Sequence, residues 1–276
     1  PLMAAEGVEL LAGLDRLAVM GFVEVVKHLP YFYGLFRRVR RELAVRGTDL
    51  VIPIDYPGFN LRLARSARES GIPVLYYIAP QVWAWHRSRT RELARCADRL
   101  AVVLPFEEPL FREAGARVTF VGHPLLDLCE ATSTRAEFCA RLGLDAERPI
   151  LAVFPGSRAQ EVARHLELFT AAAREVCRSD PRVQPVVACS ASVPEEAFAG
   201  LALPRTPASR ELLLHADAAL VKSGTTTLEA ALALTPMVIA YRMHPLTYRL
   251  ARRLVEVEHI GLVNLVAGER IAPELI

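Results

Sequence analysis

Two short turns in the second half of the chain carry the residue types that a diphosphate needs. In FPGSR an apolar run ends at Phe154, and Pro155, Gly156, Ser157 and Arg158 lead into a helical pattern, so free backbone amides and the positive helix end stand beside a guanidinium. An ordinary strand-to-helix turn with a serine cap is the competing reading. KSGTTTLE repeats the arrangement after the apolar AALV. There Gly224 permits close backbone approach, Ser223 and Thr225 offer hydroxyls, and Glu229 lies in the first turns of the next helix. Glu229 can accept hydrogen bonds from ribose hydroxyls, or it can simply face the helix dipole. GxxxxGK[ST] and GxGxxG are both absent, which argues against a P-loop NTPase and a dinucleotide fingerprint.

The first half supplies a different chemistry. In PIDYPGFN, Asp55 stands at the end of the apolar run LVIPI and before a Pro-Gly turn, where a carboxylate can serve as general base toward an alcohol. A turn-forming or capping aspartate fits the same spacing. Further on, YYIAPQVWAWHRSR brings together Gln81, Trp83, Trp85 and His86; both tryptophans of the chain lie here and can form an aromatic wall for a sugar or acyl chain, or pack in a core. His86 and His123 are isolated, HExxH is missing and no metal is expected; the absence of GxSxG speaks against a serine nucleophile.

Near the start, GFVEVVKHLPYFYGLFRRVRREL is too apolar for one buried stripe. Val23, Val25, Val26, Leu29, Phe32 and Tyr33 cover more than one helical face, and Arg37 and Arg38 open a basic cluster. Such a surface suits an anionic lipid interface, with burial against another element as the alternative. The net charge is only +2, so no global field gathers nucleic acid. Five widely spaced cysteines without a CxxC pair point to a reducing cytoplasm rather than a disulfide framework. The longest uncharged apolar stretch, Gly71 to Trp85, holds two prolines and falls short of the ~20 residues a bilayer requires.

These residues need elements to hold them. From Leu50 onward, short apolar runs alternate with amphipathic ones: 50–54, a helix from Phe59, 72–78, 99–105, a helix over 107–113, and 118–122. After an irregular stretch the alternation restarts with 150–154, a long helix over 160–178, 183–189, 218–222, a helix over 226–234, and 237–241. It predicts βαβ units in two domains, 1–143 and 144–276, facing a cleft. Ligands of open parallel sheets sit beyond the carboxyl ends of the strands, which is where the three loops lie.

In this order, LAVMGFVEV, IDYPGFN, YYIAPQVWAW, LPFE, VGHPLLD, FPGSR, SGTTTLEAAL, YRMHPLTY and NLVAG resemble the lipid-A-disaccharide synthases along almost the whole chain. The resemblance implies a GT-B fold of two Rossmann-like domains. It further implies an inverting, cofactor-free transfer of 2,3-diacylglucosamine from UDP-2,3-diacylglucosamine to 2,3-diacylglucosamine 1-phosphate (lipid X). Asp55 would take the proton from the acceptor 6-hydroxyl. Ser157, Arg158, Ser223, Gly224 and Thr225 would stabilise the departing diphosphate, with Glu229 and Asn264 near the uridine. The resemblance places the enzyme on the cytoplasmic face of a Gram-negative inner membrane, docked through the apolar and basic segment, and allows a homodimer. The family's opening SGExSGD segment and last helices are not found, so the chain is expected to be truncated at both ends and to turn over poorly. Rival expectations are a peptidoglycan N-acetylglucosaminyltransferase, a UDP-sugar 2-epimerase, or a non-catalytic membrane-binding module.

Overall fold

A computed structural model describes residues 2–13, 22–81, 88–128, 133–242 and 259–275. The chain forms two compact units, Pro1–Gly122 and His123–Ile276.

In the first unit the elements run α1 (Leu2–Ala5), α2 (Phe22–Val45), α3 (Pro57–Glu69), β1 (Leu75–Tyr77), α4 (Ser88–Cys96), β2 (Arg99–Val102), α5 (Glu107–Glu113) and β3 (Val118–Phe120). The three strands form a parallel sheet in the order β1-β2-β3. Residues 51–54 run beside β1, with Val51 opposite Val74 and Ile54 opposite Tyr77. The pairing is real: the Leu75 amide donates to Val51 and the Tyr77 amide to Pro53, at 3.0 and 2.9 Å. It is interrupted because Pro53 has no N–H to return. The run LVIPI is therefore a broken edge strand rather than a regular one. Leu61, Ala64 and Ala67 of α3 share one buried face, and Tyr76, Leu93, Leu100 and Phe111 fill the core beneath. Phe36, Val39 and Leu43 of α2 close it from outside.

The second unit comprises α6 (Arg135–Leu142), β4 (Ile150–Phe154), α7 (Ala159–Ser179), β5 (Gln184–Ala188), β6 (Arg205–Thr206), α8 (Ser209–His215), β7 (Ala218–Lys222), α9 (Thr226–Leu232), β8 (Met237–Ala240), α10 (Leu262–Ala267) and β9 (Glu274–Leu275). All neighbouring strands are parallel, in the order β6-β5-β4-β7-β8-β9. Numbered within the unit this is 3-2-1-4-5-6, the doubly wound order whose direction reverses between its first and fourth strands. Phe169 of α7 and Phe198 are almost wholly buried over the sheet. Each contributes roughly 1.5–3 kcal/mol through apolar burial.

Residues 123–143 belong to this second unit, whereas the sequence reading divides the domains at 143. Arg135 explains the difference. Its guanidinium donates to the carbonyls of Ala146, Arg148 and His215 and to the Asp217 carboxylate. Asp217 in turn accepts the first amide of β4, from Ile150, at 2.8 Å. Arg141 pairs with Glu211 of α8, and Phe138 stacks near His215 at 5.3 Å. An apparently polar spacer is thus fastened by side chains that reach the turn before β4 and, 70 or more residues onward, His215, Asp217 and Glu211.

Candidate active site

β4 and β7 are the adjacent strands between which the order reverses, and the two amide-rich turns follow them directly. This switch point is where doubly wound sheets open a crevice for ligands. After β4, Gly156 has φ 138°, a conformation that L side chains rarely adopt, and an added Cβ would lie 2.5 Å from the Glu161 Cβ. Arg158, not Ser157, is the N-cap of α7; it is extended and its side chain makes no cap bond. Ser157 and Arg158 are exposed.

Glu161, the third residue of α7, lies outside both turn motifs and carries no signal in the sequence. Its carboxylate accepts the Ser157 amide at 3.1 Å, Arg158 at 3.2 Å and the Lys222 ammonium at 3.0 Å. Lys222 ends β7, so a single acid ties the two turns together. Both side chains of that pair are about 15% exposed, at 15 and 14%. Burial alone would raise the Glu161 pKa; the hydrogen bond and charge of Lys222, with the Ser157 amide and Arg158, outweigh it and hold the group below the ordinary carboxylate value. Beneath it His165 is fully buried. One ring nitrogen lies 2.8 Å from the Glu161 carbonyl and Nε2 takes the Arg242 amide at 3.0 Å, an arrangement that suits the neutral imidazole. Burial lowers its pKa. A lone lysine closing an apolar strand was the available sequence signal for this network.

The second turn is held from within. Gly224 has φ 155°, the buried Ser223 hydroxyl donates to the Ile260 carbonyl at 2.9 Å, and Thr227 donates to the Gly224 carbonyl at 2.8 Å. Thr225 is exposed at the start of α9. Ser223 therefore shapes the loop, while Thr225 is exposed. Burial raises the pKa of Glu229, opposed by Arg210, whose Nε is 3.9 Å away. Glu229 borders a recess of about 20 Å³ with Leu125, Leu213 and Leu232. Asn264 is fully buried, and its amide is engaged by Ala272, on both its oxygen and nitrogen, and by Glu274. That is a bracing role for the loop around Gly261.

In the first unit, three of the four described non-glycine residues with positive φ stand at neighbouring strand tips: Asp55 (45°), Tyr56 (46°) and Ile78 (56°). Each such residue costs about 1–2 kcal/mol relative to the right-handed form. Strain of this kind gathers where a side chain must be aimed. The Asp55 amide donates to the carbonyls of Tyr77 and Ile78, at 3.3 and 3.2 Å. Asn60 Nδ2 donates to the carbonyls of Ile54 and Asp55, each at 2.9 Å, and the Tyr76 hydroxyl reaches the Asp55 carbonyl at 2.7 Å. The Asp55 side chain is exposed.

Gln81 is exposed just beyond β1; Trp83, Trp85 and His86 lie outside the described residues. On α2, Leu29 and Tyr33 are 50 and 65% exposed, Arg37 and Arg38 are exposed, and Phe32 is half-buried with its ring 6.5 Å from that of Tyr56. The side chains of Val23, Val25 and Val26 lie outside the described set. Among the described residues no helix is long and apolar enough to cross a membrane.

Two α/β units with parallel sheets, one of them doubly wound with a glycine-bearing turn after each strand at its switch point, define the GT-B fold class. Solved structures share the fold. The UDP-GlcNAc 2-epimerase of Neisseria meningitidis aligns over 97% of this chain and 78% of its own, with TM-score 0.60 and 11% identity. The kitacinnamycin glycotransferase aligns over 93 and 70%, with TM-score 0.54 and 16% identity. A family model described as lipid-A-disaccharide synthetase matches residues 1–276. The lipid-A-disaccharide synthases of Trichlorobacter lovleyi and Syntrophus aciditrophicus are each 45% identical, over 100 and 98% of this chain and 74 and 73% of theirs. The Nitrosococcus oceani enzyme is 42% identical over 100 and 73%. The chain belongs to the lipid-A-disaccharide synthase family, hexosyltransferases of lipid A biosynthesis.

Proposed function

We propose that the chain transfers 2,3-diacylglucosamine from UDP-2,3-diacylglucosamine to lipid X with inversion at the anomeric carbon. The acceptor 6-hydroxyl oxygen forms the new bond to that carbon while the bond to the diphosphate breaks, and UDP leaves with the electron pair. Asp55 takes the hydroxyl proton. The products are the β-1,6-linked disaccharide 1-phosphate and UDP. The observation that carries this reading is the convergence of the Ser157 amide, Arg158 and Lys222 on one carboxylate at the switch point. These donors match the charge that develops on a departing diphosphate.

Ser157, Arg158, Gly224 and Thr225 hold the diphosphate on this reading, Ser223 and Asn264 brace its loops, and Glu229 meets the ribose. Gln81 with Trp83 and Trp85 lines the acceptor side. Leu29, Phe32 and Tyr33, with Val23, Val25 and Val26 and the arginines Arg37 and Arg38, dock the enzyme as a peripheral protein on the cytoplasmic face of a Gram-negative inner membrane, as a homodimer. The test is product formation from UDP-2,3-diacylglucosamine and detergent-dispersed lipid X. Asp55→Ala is expected to lower kcat by roughly 10²- to 10⁴-fold. Undiminished transfer by that variant would remove the general-base role.

A further inference from the structure

We infer that Asn60 and Tyr76 are positioning residues for the transfer reaction, which hold the backbone of the Asp55–Tyr56 turn in its left-handed form and so aim the Asp55 carboxylate. The inference rests on the general-base reading of Asp55.

Two consecutive non-glycine residues with φ 45° and 46° do not keep that conformation by themselves, because each Cβ crowds its own backbone. Pro57 follows at once as the first residue of α3, so the chain must turn from strand tip to helix within two residues. Neither a glycine nor a side-chain cap assists; Tyr56, the N-cap of α3, makes no such bond. What holds the turn is a set of donors aimed at its carbonyls. Asn60 lies on the first turn of α3 and spends both Nδ2 hydrogens on successive carbonyls, those of Ile54 and Asp55. Tyr76 approaches from the sheet side, wholly buried, and its hydroxyl shares the Asp55 carbonyl. Burial, and then the nearby Asp55 carboxylate, push the Tyr76 pKa up, so the hydroxyl remains a donor throughout the working pH range. The Asp55 amide is fixed as well, on Tyr77 and Ile78. The peptide groups on both sides of the Asp55 Cα are thereby pinned, which leaves the direction of its Cβ little freedom. An asparagine that merely capped α3 would bond amides of the helix; this one bonds carbonyls that precede it.

The variants Asn60→Ala and Tyr76→Phe test this. Each is expected to lower kcat by roughly 10- to 100-fold, the loss typical of a misplaced reacting group, while KM for both substrates stays within about threefold. Adding Tyr56→Asn to Asn60→Ala should restore part of the lost kcat, because asparagine tolerates the left-handed region far better than tyrosine. A role confined to stability would lower the unfolding midpoint, leave kcat of the folded enzyme unchanged and show no such rescue; that result overturns the inference. Should Asn60→Ala fold poorly, Tyr76→Phe, which removes a single hydroxyl, decides on the same criterion. Full activity of Asp55→Ala would defeat the general-base reading and this inference together. An inactive Asp55→Ala beside fully active Asn60→Ala and Tyr76→Phe defeats the inference alone.

Discussion

On the proposed function, Glu161 takes three donors that a diphosphate would otherwise use, so at the residue scale it is a competitor as well as a strut. Glu161→Gln keeps the shape and removes the charge. UDP binding, followed by calorimetry, is expected to tighten several-fold in that variant and to weaken in Lys222→Met, on the order of 1 kcal/mol each way. The same variant exposes a pH effect. The Glu161 pKa is lowered on folding from the ordinary 4.5, so its stabilising contribution is fully present above that value and fades as pH falls through the folded one. Urea unfolding of the parent between pH 6 and acid should therefore lose more stability than unfolding of Glu161→Gln. Little of this was legible beforehand. FPGSR and KSGT announce turns, but Glu161 and Lys222 stand 61 positions apart and meet only because β4 and β7 are neighbours. The left-handed pair at Asp55 and Tyr56 was hidden for another reason: aspartate adopts such backbone only occasionally, and tyrosine at the next position gives no signal for it.

At the scale of elements, periodicity located most of the pieces. The helix over 107–113 coincides with α5, and 150–154 with β4. The two-residue strands β6 and β9, RT and EL, carry no apolar run, so only their pairing with β5 and β8 defines them. The allegiance of α6 was also invisible, because the partners of its buried Phe138 and of Arg135 come from segments as distant as His215 and Asp217. Arg135→Ala should cost the second unit roughly 2–3 kcal/mol, since it strips a charged donor from Asp217 and several carbonyls. Urea unfolding measures the loss, and a change below about 0.5 kcal/mol, the size of an ordinary surface substitution, would contradict the account.

For the whole molecule, charge is unevenly shared. Residues 1–122 hold 17 lysines and arginines against 13 acids, a net +4, whereas residues 123–276 hold 16 against 18, a net −2. The first unit also carries the exposed Leu29 and Tyr33 beside Arg37 on one stripe of α2. Attraction to an anionic bilayer contributes about 1 kcal/mol per basic residue at the surface. Replacing Arg37 and Arg38 by glutamate should thus cut partitioning onto anionic vesicles by roughly tenfold or more, with salt producing a similar decline in the parent. Insensitivity to both would leave α2 without a lipid role.

The wholly parallel sheet of the second unit has a temporal consequence. Its two central strands, β4 and β7, become partners only after the intervening crossovers have wound, and contacts so distant along the chain form late and slowly. Capture of a nucleotide during refolding should accordingly lag behind the appearance of helix signal, making ligand competence one of the last properties the chain acquires.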